Sequence, residues 1–345
     1  YNIEIQYSSS VEISQNSFHD ISVRDLYNIK INQSNSVKVS NNKFYDMNCY
    51  YFHGAIYYDN DCTDLNASNN EFYDNYAQYD NRERSLIRVS SGNSNNSPNS
   101  IHKNIFYNNY KITAMYLESV NNFSIVNNTI DGNYHGIYLH SWNSGSVINN
   151  SITNNSQYGI RSSNDNISIY NNNSWNNSNS NYIGSLPTGV GNLTNINING
   201  NVCDVNENIS ENPQYMNPVV GNYRLQSNSP NIDAGQGYSL EPDSSLTDIG
   251  KYYFIPLPAV QMQPSALNID RIEQGTFNYD ANFLLINPGD SLLEWNFSYD
   301  SELLNIYVDD SSGYVSPGDT IDFRIELNTN TLIPGQYSTQ ISFNT

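Results

Sequence analysis

The sequence predicts an all-β protein in which a parallel β-helix is followed by an immunoglobulin-like β-sandwich. A pattern containing Asn recurs about every two dozen residues over residues 1–205, which is the period of a solenoid. Apolar and polar residues alternate on both sides of that pattern, as in strands with one buried face. Short alternating segments, separated by Pro-Gly turns, fill residues 265–345 and indicate the sandwich.

The recurring pattern centres on a pair of polar residues, as in SNNKFYDMN from Ser40 and SNNEFYDNY from Ser68. The second residue of the pair marks each coil: Asn16, Asn42, Asn70, Asn104, Asn128, Asn150 and Asn172, with Asn201 as a degenerate last copy. The first residue is expected in a bend, where Asn tolerates a left-handed backbone. We expect the marker residues to turn inward and form a ladder of amide hydrogen bonds.

Apolar columns accompany the marker in every coil. The column three residues before it is Ile13, Val39, Ala67, Ile101, Ile125, Val147 and Ile169, and the column two residues after it is Phe18, Phe44, Phe72, Phe106, Ile130, Ile152 and Ser174. Each coil contains a further strand. The first inward residue of this strand, coil by coil, is Ile3, Ile29, Ile56, Ile87, Met115, Ile137 and Ile160. No segment has helical spacing of its apolar residues. Coils of short strands, stacked about 4.8 Å apart, form a parallel β-helix.

The coils read roughly as v.I..N.i..N..gI.l, and over residues 1–205 they resemble the right-handed parallel β-helix repeat family. Members of that family include pectate-lyase-like enzymes, phage tailspikes and adhesins. The resemblance therefore implies a right-handed coil and leaves the function open.

Two further resemblances divide the rest of the chain. Residues 206–254 contain GNYRL, SPNIDAG and DIG, and resemble the segment that ends many bacterial secreted β-helix proteins, which implies a C-terminal cap. Residues 255–264, IPLPAVQMQP, are predicted to be a linker. Residues 265–345 contain INPGDSLLEW and LIPGQYSTQISF, and resemble small BACON-like or abnormal-spindle-like immunoglobulin-like modules.

Composition limits the partners and the location. Lys and Arg total 14 against 34 Asp and Glu, so the net charge of -20 argues against nucleic acid and anionic membranes as partners. No apolar run approaches the ~20 residues of a membrane span. Few charged residues and many Asn, Ser and Tyr favour an extracellular or cell-surface location. Cys49, Cys62 and Cys203 form no disulfide framework, and both a Cys49–Cys62 bond and three free thiols remain open.

The outward residues of the further strand gather most of the ionisable and aromatic groups. The first outward column is Glu4, Lys30, Tyr57, Arg88, Tyr116, Tyr138 and Arg161, and the second is Gln6, Asn32, Asp59, Ser90, Glu118, His140 and Ser163. We predict that a glycan binds here, through Tyr57, Arg88, Tyr116, Tyr138, His140 and Arg161. The same side chains would otherwise serve only as a solvated cover for the sheet.

Two kinds of catalysis remain alternatives for this surface, with Arg88, Tyr116, Glu118, His140 and Asp59 as the candidate residues. In a polysaccharide lyase, Arg88 or Arg161 would neutralise a uronate carboxylate while His140 or Tyr116 removed the proton. In a glycoside hydrolase, Asp59 and Glu118 would lie two rungs or about 9.6 Å apart, close to the spacing of inverting carboxylate pairs.

Other features allow weaker expectations. One such feature is a column of acidic residues, Asp20, Asp46 and Asp74. Either Ca²⁺ binds between these carboxylates and offsets their repulsion, or the three are solvated turn residues. No other cofactor is expected. The first coil has no visible N-terminal cap, so either a preceding region covers its strand edges in the natural protein or those edges favour self-association into fibres. Together the features favour a secreted or cell-surface bacterial protein with a structural, adhesive or glycan-binding role, and a polysaccharide or cell-surface glycan as partner.

Overall fold

The chain divides into two compact units. In a computed structural model, the described residues are 3–59, 62–79, 84–90, 98–237, 241, 245–255, 260–263, 280–289, 291–299, 304–307, 312–327 and 341–344. One unit comprises Tyr1–Gln214 and Asn228–Tyr253, and the other comprises Tyr215–Ser227 and Phe254–Thr345.

The first unit is a parallel β-solenoid with three long sheets. Sheet 1 consists of Ile3–Gln6, Ser22–Asn32, Asn48–Asp59, Ser85–Ser90, Thr113–Glu118, Ile137–His140, Tyr158–Ser162 and Ser180–Gly184, with Tyr76–Ala77 beside the third strand. Sheet 2 consists of Glu12–Ser14, Lys38–Ser40, Asn66–Ser68, Asn99–His102, Phe123–Val126, Gly145–Ile148 and Ile167–Tyr170. Sheet 3 consists of Ser17–Phe18, Lys43–Tyr45, Glu71–Tyr73, Ile105–Tyr107, Thr129–Asp131, Ser151–Thr153 and Asn173–Trp175.

The predicted parallel β-solenoid is confirmed by the pairing of successive coils. Each strand pairs in parallel with its counterpart in the next coil, so that Ile56 lies beside Ile87 and Ile87 beside Met115. The apolar columns face inward and are buried. On sheet 3 the rings of Phe44 and Phe72 are stacked with centroids 4.8 Å apart. The core is therefore a set of continuous stacks of identical or similar side chains.

The marker residues form a ladder of side-chain hydrogen bonds. Asn42 Nδ2 donates to Asn70 Oδ1 at 3.1 Å, and Asn128 Nδ2 donates to Asn150 Oδ1 at 2.9 Å. The residue before each marker, such as Asn41, has a positive φ of 57°, so it makes the left-handed bend. Beyond Asn172 the ladder does not continue to Asn201, which donates instead to a backbone carbonyl.

The last member of the ladder is Asn208, which was not expected from the sequence. Asn172 Nδ2 donates to Asn208 Oδ1 at 3.0 Å. Asn208 in turn donates to the carboxylate of Asp204, which also accepts the backbone amides of Gly191 and Asn206 at 2.7 Å. The buried Asp204 carboxylate thus accepts hydrogen bonds from the side chain of the last ladder residue and from two backbone amides at this end of the solenoid.

A second Asn ladder runs beside the first, five residues further along the chain in each of five coils. Its members are Asn75, Asn109, Asn133, Asn155 and Asn177. Asn75 Nδ2 donates to Asn109 Oδ1 at 2.8 Å, and Asn155 Nδ2 donates to Asn177 Oδ1 at 2.7 Å. The solenoid therefore has two buried rows of hydrogen-bonded Asn side chains, one before and one after the strands of sheet 3.

Residues 228–237, 241 and 245–253, here called the strap, run along the outside of the corner between sheets 2 and 3. The bend residues of three coils hold the strap through their side-chain amides. Asn171 donates to Ala234 O at 3.1 Å, Asn149 to Gln236 O at 2.7 Å, and Asn127 to Gly250 O at 3.1 Å. The same Asn column thus makes the bend and binds the strap.

Between the last coil and the strap, Asn195–Ile196 and Val202–Cys203 form a two-stranded antiparallel sheet. All three cysteines are buried and free, so Cys49 and Cys62 form no disulfide. Within the described residues no helix is long and apolar enough to cross a membrane.

The second unit contains only small antiparallel sheets and one short 3₁₀ helix in its described residues. Tyr215–Asn217 pairs with Asn222–Leu225, with the 3₁₀ helix Pro218–Val220 between them. One further sheet contains Gln261–Gln263, Asp280–Ile286, Thr320–Leu327 and Leu304–Tyr307, and another contains Ser312–Val315, Leu293–Tyr299 and Ile341–Asn344. Much of residues 265–345 lies outside the described part, and the immunoglobulin-like sandwich stays a prediction.

Candidate functional site

The outer face of sheet 1 brings the candidate residues together, and we call it the tyrosine–arginine face. It comprises the outward columns that begin at Glu4 and Gln6, together with the aromatic residues beside them. The register places Lys30, Tyr57, Arg88, Tyr116, Tyr138 and Arg161 side by side on consecutive strands. The strict alternation of each strand turns these residues outward while their neighbours fill the core.

Arg88 lies between two tyrosine rings of neighbouring strands. Its guanidinium carbon is 5.4 Å from the centroid of Tyr57 and 5.1 Å from that of Tyr116. Its Nη2 is 3.5 Å from Oε2 of Glu118, and its Nε donates to Ser90 Oγ at 3.4 Å. Stacking fixes the plane of the guanidinium group and leaves its N–H edges for polar partners.

Glu118 and His140 form the polar centre of the face. His140 Nε2 is 3.9 Å from Oε1 of Glu118, which also faces Arg88. The hydroxyl of Tyr138 and Nδ1 of His140 are 3.2 Å apart, within hydrogen-bond distance. The side chains of Glu118 and His140 remain 34% and 38% exposed. Tyr138 therefore holds His140 and Arg88 holds Glu118, while about a third of each side chain remains open to a ligand.

Tyr116 and Tyr138 lie beneath this polar layer. Only 1% of Tyr116 and 2% of Tyr138 is exposed. Their rings meet edge to face at 5.2 Å, and the guanidinium of Arg161 lies 4.8 Å from the centroid of Tyr138. The faces of these rings are thus already in contact with protein. In this arrangement they support the charged groups and offer no free surface for a sugar ring.

Asp59 contacts a tyrosine near the start of the face. It accepts a hydrogen bond of 3.0 Å from the hydroxyl of Tyr57. Burial, and after it the Asp59 carboxylate, raises the pKa of Tyr57 to about 12. Asp59 and Glu118 are separated by one intervening strand of the sheet, that of Arg88. They therefore stand on separate strands with Ser90 and the Arg88 guanidinium between them.

The face extends further than the sequence suggested, because two strands of sheet 1 are unusually long. Ser22–Asn32 and Asn48–Asp59 carry additional aromatic residues outward. The ring of Tyr27 stacks on His53 at 4.8 Å, and Arg84 lies 4.9 Å from the centroid of Tyr51. The run NCYYFHGAIYYD was the sequence signal for this extension.

The predicted acidic column lies at a solvent-exposed corner. Asp20, Asp46 and Asp74 are exposed and have positive φ angles of 52°, 51° and 54°. Burial, with a smaller contribution from Asp46, raises the pKa of Asp74. Among the residues that the structure describes, no group of three or more His, Cys, Asp or Glu side chains is arranged to hold a metal ion. The geometry here is that of turn residues.

One open cleft of about 530 Å³ lies where the strap meets the last coil of sheet 2. Its lining includes Tyr170, Asn171, Glu207 and the strap residues Gly235 and Gln236. Asn171 Nδ2 donates to Glu207 Oε2 at 3.0 Å across it. The cleft is separate from the tyrosine–arginine face.

Comparison with known proteins adds a family match to this geometry. Residues 1–152 match the family described as right handed beta helix region. This match and the parallel pairing of the coils support a right-handed parallel β-helix for this part of the chain, as the resemblance implied. No curated protein and no solved structure matches the chain.

Proposed function

We propose that the protein is a secreted or cell-surface glycan-binding protein with an adhesive or structural role, and that polysaccharide binds to its tyrosine–arginine face. The observation that carries this proposal is the layered construction of the face. The side chains of Glu118 and His140 are 34% and 38% exposed and that of Arg88 is 17% exposed. The rings of Tyr57 and Tyr116 lie against the Arg88 guanidinium, and the hydroxyl of Tyr138 contacts His140.

Rigid polar groups suit the recognition of sugar hydroxyl and carboxyl groups. Stacking and hydrogen bonds hold Arg88 and His140 before any ligand arrives, so binding loses little side-chain entropy. The sheet repeats at about 4.8 Å along the solenoid, which presents similar groups to successive units of a polymer. A long, shallow and polar strip of this kind fits an extended chain better than a compact ligand.

The composition supports the proposed location. Charged residues are only 14% of the chain, and its polarity comes from Asn, Ser and Tyr. Two buried Asn ladders connect successive coils through side-chain hydrogen bonds. A long scaffold that is cross-linked in this way suits a structural or adhesive role outside the cell.

The test is a binding survey with purified protein and a panel of neutral and charged polysaccharides, measured by affinity electrophoresis and calorimetry. His140→Ala together with Arg161→Ala is expected to weaken binding at least about tenfold, the loss that follows from removing charge-assisted contacts. Lys38→Ala, a cation of sheet 2 that pairs with Glu12 at 2.9 Å, is the matched control. Binding that survives the double variant, or that is lost equally in the control, would overturn the proposal.

A second candidate is a polysaccharide lyase or hydrolase acting on the same face. The observation that favours it is the contact of Glu118 with both Arg88 and His140. In a lyase, Arg88 would neutralise the substrate carboxylate and His140 would take the proton from the carbon beside it. A C=C bond would form as the glycosidic C–O bond broke, and the leaving oxygen would take a proton from solvent. Absorbance of unsaturated products and release of reducing ends distinguish lyase, hydrolase and pure binding. Loss of product formation in His140→Ala, with binding retained, is the result expected of an enzyme.

A further inference from the structure

We infer that the ligand of the tyrosine–arginine face is an anionic polysaccharide, carboxylated or sulfated, that lies along the solenoid axis over Lys30, Arg88 and Arg161. The inference rests on the proposed glycan-binding function and specifies the class of glycan and its direction. The evidence for it is the position of the Lys and Arg side chains in this acidic chain.

The arginines of the solenoid are concentrated on this one sheet. Every arginine that the structure describes between residues 3 and 205 lies over a tyrosine ring of the tyrosine–arginine face. The four are Arg24 over Tyr51, Arg84 over Tyr51, Arg88 over Tyr57 and Tyr116, and Arg161 over Tyr138 and Tyr158. The chain as a whole has a net charge of -20, so this distribution sets one sheet apart from the rest of the surface.

Lys30 and Arg161 of the outward column form no ion pair among the residues that the structure describes. Lys30 lies over the ring of Tyr27, and Arg161 lies over the rings of Tyr138 and Tyr158. Three lysines elsewhere in the first unit pair with carboxylates, and one of them is Lys38, which pairs with Glu12. Lys43 and Lys251 likewise both face Glu71. The unneutralised charges of the face are thus available to an anionic ligand.

The cations share one outward column, which sets the direction of the ligand. The register runs from Lys30 through Tyr57 to Arg88, and from there through Tyr116 and Tyr138 to Arg161. Lys30 and Arg161 are five rungs apart, or about 24 Å at the spacing of neighbouring strands. A ligand that contacts all three cations must therefore be extended and several sugar units long.

The spacing of the charges also selects the type of polymer. Tyrosines separate the cations, and Glu118 and Asp59 stand between them in the next column. A nucleic acid carries a phosphate on every unit and would meet these carboxylates and the acidic surroundings. A polysaccharide with acidic groups among neutral hydroxyls avoids that repulsion, because its hydroxyls can donate to Glu118 and Asp59.

The experiment measures binding of oligosaccharides of defined length to the folded full chain by calorimetry. The probes are oligogalacturonates, sulfated glycosaminoglycan oligomers and neutral dextran oligomers of matched length. We expect the acidic probes to bind and their affinity to rise with length until the oligomer spans about 24 Å. Affinity should also fall as salt is raised from about 50 to about 300 mM.

Variants identify the responsible column. Arg161→Gln and Lys30→Gln are each expected to weaken binding of the long acidic probe about tenfold, and to flatten its dependence on length. Lys38→Gln and Lys103→Gln remove the same charge from other surfaces and should leave affinity unchanged. Circular dichroism confirms that all variants are folded.

The outcomes separate the two proposals. If neutral dextran oligomers bind as well as acidic ones and Arg161→Gln still weakens binding, the face binds glycans but the anionic class is wrong. If short and long acidic probes bind equally, the axial direction is wrong. If duplex DNA competes as well as the acidic polysaccharide, the site recognises polyanions in general, and the inference fails. If no glycan binds, the inference and the proposed function both fail.

Discussion

Replacing Asn128 by Ala removes one member of the first amide ladder from the middle of the solenoid. Asn128 is fully buried, and its side chain makes five hydrogen bonds. Its Oδ1 accepts from the backbone amide and from Nδ2 of Asn104, both at 3.0 Å. Its Nδ2 donates to Asn150 Oδ1 and to the carbonyl of Ile101, both at 2.9 Å.

The expected loss follows from the groups that the substitution leaves buried. The backbone amide of Asn104 loses its acceptor, which costs about 1 to 3 kcal/mol. Each remaining lost bond contributes about 0.5 to 1.5 kcal/mol, and bonds in one network do not add fully. We therefore expect the free energy of unfolding to fall by about 3 to 5 kcal/mol.

Urea unfolding followed by far-UV circular dichroism measures this change, and hydrogen exchange at the Asn104 amide locates it. Asn195→Ala is the control, because Asn195 is exposed in a short strand and should change stability by less than about 0.5 kcal/mol. If Asn128→Ala unfolds within about 1 kcal/mol of this control, and the Asn104 amide keeps its protection, the ladder does not stabilise the solenoid as argued.

Three further predictions concern other buried groups. Asp204→Ala should lower the melting temperature more than Asp204→Asn, because the alanine variant leaves the amides of both Gly191 and Asn206 without an acceptor, whereas the single Asn oxygen can still accept from one of them; equal melting temperatures would contradict this. Burial lowers the pKa of His102 below its value of about 6.5 in the unfolded chain. The neutral side chain therefore stabilises the folded state fully above about pH 6.5, and this stabilisation is lost as pH falls from there toward the folded pKa. Urea midpoints measured between about pH 7.5 and pH 5 should therefore fall less in His102→Gln than in the parent protein. Burial raises the pKa of Cys49 to about 12 and that of Cys62 to about 11, so a thiol reagent near pH 8 should react slowly with the native protein and rapidly after unfolding.

The coils were predictable because stacked columns repeat the same residue type at the same place. The inward apolar columns and the marker Asn residues needed only alignment on Asn42 and Asn70 to become visible. The second ladder carried a comparable signal, with Asn75, Asn109 and Asn133 each five residues after a marker. It was missed because Asn is frequent everywhere in this chain, and because the first coils have Ile21 and Met47 at that position.

The candidate site was only partly predictable. Alternation identified which residues point away from the core, but it does not reveal whether outward neighbours cover one another. Tyr116 faces outward and is nevertheless 1% exposed, because Arg88 and Tyr138 pack against it. The strap was recognised as a terminal segment, yet nothing in the sequence indicated that Asn127, Asn149 and Asn171 would hold it through side-chain amides.

Coil length varies widely although the ladder spacing does not. The chain uses 34 residues between Asn70 and Asn104 but only 22 between Asn128 and Asn150, and both side-chain ladder bonds are 2.9 Å long. The described strands of the longest coil therefore keep their register with the neighbouring coils despite the added chain length. The stacked columns and the length of the segments between them are therefore independent of one another, so residues can be inserted between strands beside the tyrosine–arginine face without shifting its register.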